Sequence, residues 1–202
     1  MRPVLHAMPT GYLRIFFLSS LLISHQLFAA GFVQVNGDFG GSNILADLPQ
    51  NTELARLSSG QGVGVMLGSR WRIKSDGRAQ WALKAAAGYK YQSAQPTSRS
   101  VVSWTRWPLE LMVMSKSHVR PYSLGVGVQY HPGGRLAGTG SWESVDEKFA
   151  PGLGVIGSID YPLSPEFSAG LRLGYISYRN ISLNNSYSAL TMGLGITYFY
   201  SE

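Results

Sequence analysis

Residues 188–200, SALTMGLGITYFY, alternate between two kinds of side chain. Leu190, Met192, Leu194, Ile196, Tyr198 and Tyr200 share one parity, and Ala189, Thr191, Gly193, Gly195 and Thr197 share the other. Successive side chains of a β-strand point to opposite faces, so this spacing gives one greasy, tyrosine-tipped face and one small or polar face. The run is also long for a strand, since strands in soluble sheets average ~5–6 residues. A chain built from such strands must set a broad apolar face against something other than water.

The pattern recurs. In residues 32–39, Val33, Val35 and Phe39 oppose Gln34, Asn36 and Asp38; in residues 62–73, Val63, Val65, Leu67, Trp71 and Ile73 oppose glycines, Met66, Arg70 and Arg72. Residues 79–91 set Trp81, Leu83, Tyr89 and Tyr91 against Gln80, Lys84 and Lys90. Residues 101–114 set Trp107, Leu109, Leu111 and Val113 against Trp104, Arg106, Glu110, Met112 and Met114. Pro108 on that second face cannot donate a ladder hydrogen bond, which predicts a bulge or register break. Residues 120–131, 152–161 and 167–178 repeat the alternation, making eight segments with the last. The connections at 74–78, 115–119 and 162–166 are short, whereas 40–61 and 132–151 are long.

Residues 1–30 read as a secretion signal and residues 31–202 as a single domain. Arg2 and Arg14 precede a short apolar run, IFFLSSLLI, and QLFAA supplies small residues for cleavage. That run is too short for a membrane helix, which needs ~20 residues. Removing the leader's two arginines lowers the formal net charge from +6 to +4, and the remaining cations are scattered rather than gathered into a nucleic-acid patch. The chain has no cysteine, which excludes disulfides and thiolate metal sites.

An all-β, eight-stranded antiparallel up-and-down transmembrane β-barrel accounts for these observations. Its strands alternate apolar-out and polar-in, with short turns toward the periplasm and long loops outside. A soluble lipocalin-like barrel would reverse the facing. The aromatics near the segment ends read as girdles at the headgroup level. The leader, RPYSLGVGVQY at residues 120–130, FSAGLRLGYISY at residues 167–178 and the GLGITYFY ending together resemble the small eight-stranded outer-membrane β-barrel proteins of Gram-negative bacteria. The resemblance covers the mature chain and implies outer-membrane localisation, contact with outer-membrane lipid and lipopolysaccharide, and delivery by the outer-membrane assembly machinery. Many such proteins end on an aromatic residue, whereas Tyr200 here is followed by Ser201 and Glu202.

The inward charged set is Arg70, Arg72, Lys84, Lys90, Arg106, Glu110, Arg120, Asp160 and Arg172. Charges in so narrow a lumen are costly unless paired. Glu110 with Arg120, and Asp160 with Arg172, flank short turns and are the expected ion pairs of an interior plug. The favoured function is a non-enzymatic structural or surface-interaction role carried by the loops at 40–61 and 132–151. A narrow, anion-favouring channel is one alternative. Another is lipid A or phospholipid acyl hydrolysis by His131 with Ser141 and Asp146, although neither the chain near Ser141 nor that near Ser144 has a nucleophile-elbow pattern. Trp142 could stack on carbohydrate. The acidic run SWESVDEK lacks calcium-loop spacing, so neither a metal nor a cofactor is expected.

Overall fold

A computed structural model describes residues 29–46, 56–75, 77–97 and 99–200. The expected leader lies outside the described residues except for Ala29 and Ala30, which open the first strand. The strands are β1 (Ala29–Gly40), β2 (Gly62–Ser75), β3 (Ala79–Thr97), β4 (Ser100–Arg106), β5 (Leu109–Ser117), β6 (Ser123–His131), β7 (Gly134–Gly138), β8 (Asp146–Phe149), β9 (Gly152–Pro162), β10 (Phe167–Arg179) and β11 (Ser186–Phe199). They form one sheet in the order β2-β1-β11-β10-β9-β6-β5-β3-β4-β7-β8, closed by β2 pairing with β3.

These eleven strands make eight antiparallel staves, because three staves are interrupted. β4 and β5 form the fourth stave, broken at Trp107 and Pro108; β6 runs on into β7, and β8 into β9. The partners Lys90–Arg106 and Ala87–Leu109 keep one register along β3, so Pro108 interrupts bonding without shifting the third stave against the fourth. The shift lies on the opposite seam. Leu109 faces Tyr130, but Arg106 faces Gly134, so the fifth stave gains one residue around His131–Gly133. An inserted residue reverses facing. His131 below the bulge and Leu136 above it are therefore both buried, although their positions differ in parity. The fifth and sixth staves keep their mutual register, His131 opposite Gly152 and Gly134 opposite Phe149, so the hairpin shifts as a unit. The expected loop at residues 132–151 thus contains two short strands joined through a 3-10 turn at Gly140–Trp142.

The outer face is apolar, with Val65, Leu67, Leu111, Val126, Leu171, Leu194 and Ile196 all exposed. Aromatic rings bound this belt. Tyr89 packs on Trp107 at 4.9 Å near one edge, and Phe167 packs on Tyr198 at 5.0 Å near the other. Trp81 to Tyr89 on β3 and Phe167 to Tyr175 on β10 span equal numbers of residues. At ~3.3 Å per residue and a tilt of ~40°, that is roughly 20 Å of height, close to the ~25 Å apolar band of outer-membrane barrels. An apolar surface this large and continuous is stable against lipid and not against water.

Candidate functional site

The interior is built in layers. Beyond the upper girdle, the extended staves enclose an apolar core containing Trp104, Leu136, Trp142, Phe149, Tyr178 and Tyr187. Trp104 meets Phe149 at 4.4 Å and Tyr178 at 5.7 Å between ring centroids. The first long loop closes this core from above. Gly40 and Gly41, at φ 108° and 96°, turn the chain off β1 through backbone space that favours glycine. Ile44, Leu45 and Leu57 then bury fully. Asn43 Oδ1 accepts from the amides of Leu45 (3.1 Å) and Leu57 (3.2 Å), holding the two arms of the loop together.

Cations below anchor the returning arm of that loop. Arg106 Nη1 donates to the Ser59 carbonyl at 2.5 Å and Nη2 donates to that of Gln61. Lys90 Nζ donates to the Gly60 carbonyl at 2.5 Å and to Asp38 Oδ2 at 2.7 Å. Trp104 Nε1 donates to the Ser59 carbonyl at 3.3 Å. These bonds compensate the desolvation of two buried cations and hold the cap in place. One level further in, Tyr178 Oη and His131 Nδ1 lie 2.8 Å apart. The cavity there is about 10 Å³, enough for a single water. Deeper still, Arg172 forms a buried ion pair with Glu110, beside the apolar side chains of Met112, Met114 and Ile156.

The expected cross-turn pairs are corrected by this arrangement. Glu110 pairs across the lumen with Arg172, not across a turn with Arg120. Arg120 is exposed at the rim, where its Nη1 donates to Tyr122 Oη at 2.9 Å. Asp160 Oδ2 instead accepts from Ser158 Oγ at 2.9 Å. Arg70 is half-buried and Arg72 exposed, and both line the lower mouth with Lys84. Lys84 is buried and donates to Gln34 Oε1 at 2.7 Å. Gln34, Asp38 and Trp104, inward by alternation, complete the interior together with the loop residues Ile44, Leu45 and Leu57, which no alternation marks.

His131, Ser141 and Asp146 are not brought together. His131 is 1% exposed and faces Tyr178, and its Nε2 has no hydrogen-bond partner among the described residues. Ser141 is exposed on the 3-10 turn. Asp146 lies on the outer face of β8, bound by Arg135 through Nε (2.7 Å) and Nη2 (3.0 Å). Arg135 holds this carboxyl below the ordinary aspartate range, mainly through that hydrogen bond. Trp142 is buried in the cap and offers no open stacking face. Among the described residues, no cluster of three or more histidine or carboxylate side chains could hold a metal ion.

Solved structures place this architecture. Ail, the attachment invasion locus protein of Yersinia pestis, aligns over 85% of this chain and 97% of its own, at 12% identity and a TM-score of 0.53. Ail in complex with the heparin analogue sucrose octasulfate aligns with the same coverage and TM-score at 11% identity. The chain has the fold of the eight-stranded outer-membrane β-barrels. No family model and no curated protein sequence matches it. The capped end carries the long connections and the opposite end the short turns, and in outer-membrane barrels of this fold the long-loop end is the outward one. The outer face of the cap holds a row of cations. Arg135 and Lys148 are register partners on β7 and β8. The amides of Ile181 and Ala150 donate to the carbonyls of Lys148 (3.0 Å) and Arg179 (2.9 Å), which brings Arg179 alongside.

Proposed function

We propose that this barrel is a non-enzymatic surface protein whose extracellular platform contacts the anionic groups of lipopolysaccharide. The observation that carries the reading is the row Arg135, Lys148 and Arg179, all exposed on the outer face above the girdle. Arg179 lies four residues beyond Tyr175 on β10, which puts it roughly 10 Å above the ring at ~3.3 Å per residue and the usual tilt. That is the height of a headgroup rather than of an acyl chain. The platform has its own core, so these side chains project from a built surface and not from a loose loop. Arg135 uses Nε and Nη2 on Asp146, and Arg179 uses Nε and Nη2 on Asn184 Oδ1, so each guanidinium offers phosphate its remaining Nη hydrogens, and Lys148 adds a point charge between them.

The test is thermal unfolding of detergent-folded protein with increasing lipopolysaccharide. The wild type should gain stability saturably, as a ligand specific to the folded state requires. The R135Q/K148Q/R179Q variant should need at least tenfold more lipopolysaccharide for half the effect, and an unchanged response would overturn the reading. Mass spectrometry of lipid A and phospholipids addresses the hydrolase alternative. Cells expressing the wild type should show the same lipids as cells expressing H131A.

A further inference from the structure

The short-turn end of the barrel opens into a cavity of about 380 Å³, within the size range of small-ligand sites. We propose that this vestibule binds a phosphate-bearing anion from the periplasm. Three neighbouring staves supply its cations. Arg70 and Lys84 are register partners on β2 and β3, Arg72 follows Arg70 on the same face, and Lys116 of β5 lies opposite Gln80. Asp160 is the one carboxylate among the lining residues. Its Oδ2 is already engaged by Ser158 Oγ at 2.9 Å. Higher in the lumen the chain balances its charges, Lys90 against Asp38 and Arg172 against Glu110. At the mouth four cations and one carboxylate line the cavity, an excess of positive charge that an anion offsets.

The rest of the vestibule favours the same occupant. Ser168 and Thr197 also line it, bringing hydroxyls that can donate to phosphate oxygens. Lys84 sits at the inner end, bound to Gln34 Oε1 at 2.7 Å and standing 4.8 Å from the Phe32 ring centroid. An ammonium has three donor hydrogens, so one such bond leaves others for a ligand. A tetrahedral anion with several acceptor oxygens uses guanidinium forks and lysines together better than a planar carboxylate does. Further in, the buried Arg172–Glu110 pair and Met112 block the lumen, so the vestibule is a blind pocket and not the mouth of a passage.

Pyrophosphate titrated into the labelled protein in phosphatidylcholine nanodiscs provides the test, followed by calorimetry and amide NMR shifts. Saturable binding is expected, with shifts at the periplasmic ends of β2, β3 and β5. Arg72 and Lys116 stand near the opening, so R72Q/K116Q should retain the heat-modifiable gel shift of a folded barrel while losing at least tenfold in affinity. R135Q, at the far end, should bind like the wild type. Absence of saturable binding, equal affinity in R72Q/K116Q, or shifts confined to the extracellular cap would each overturn the proposal. Nanodiscs doped with phosphatidylglycerol separate two sources of the phosphate. Pyrophosphate affinity that falls on doping identifies a lipid headgroup as the occupant, and affinity that holds identifies a soluble phosphate compound.

Discussion

Glu110 and Arg172 show what a charge costs inside this barrel. Both are nearly free of solvent, and each is the other's ion-pair partner. Removing one side chain strands the other, a change that costs ~3–5 kcal/mol in buried pairs. E110A should therefore lower the urea-unfolding stability of the vesicle-inserted protein by about that amount. R120A, at an exposed rim position, should stay within ~0.5 kcal/mol of the wild type. If both variants unfold alike, the pairing across the lumen is wrong. Arg135 and Asp146 illustrate the contrasting surface case. Their pair lowers the Asp146 pKa from its ordinary value of 3.8, so the contribution is complete above that value and fades as pH falls through the lower folded pKa. A carboxyl-carbon NMR titration should give a midpoint below 3.8 in the wild type, returning toward it in R135Q.

Among the elements, the cap depends on the fourth and fifth staves extending past the membrane. Trp104 on β4 is fully buried and touches Phe149, Tyr178 and, through Nε1, the returning arm of the first loop. W104A should cost ~3–5 kcal/mol, as large core truncations do, and thermal unfolding followed by circular dichroism would measure it. The eight staves were legible because lipid outside and polar groups inside impose the same period of two on every strand. Leu171 through Tyr175 and Leu190 through Tyr200 display it without interruption. The upper hairpin was not legible, because the one-residue insertion near His131 reverses facing and β7 and β8 are short. Partner choice was hidden for a different reason. Chain order reveals neighbours across a turn, such as Glu110 and Arg120, but the lumen is narrow enough for Glu110 to reach Arg172 on a distant stave. His131 is an inward, buried residue of the fifth stave. Its partner, Tyr178, lies on β10 and could not be read from local spacing.

For the whole molecule, closure and filling together decide whether solutes pass. Eight strands enclose a lumen just wide enough for side chains to fill it. Here it is obstructed twice, by the apolar cap above and by the Arg172–Glu110 layer below. The two obstructions are independent, because the cap lies beyond the upper girdle whereas the ion pair lies within the membrane. Damage to one leaves the other in place. In planar bilayers the wild type should therefore show no stable conductance steps, and W104A should be equally silent despite its lost stability. Steps should appear only when the lower layer is opened as well, as in W104A/E110A/R172A, provided that this variant still shows the heat-modifiable gel shift of a folded barrel. Its conductance should favour anions, because deleting the pair leaves the charge balance unchanged and Lys84, Lys90 and Arg106 still outnumber Asp38 and Asp160 in the lumen. Anion-selective steps in the wild type would show that the filled interior rearranges into a conduit, and the channel alternative would then replace the plugged reading.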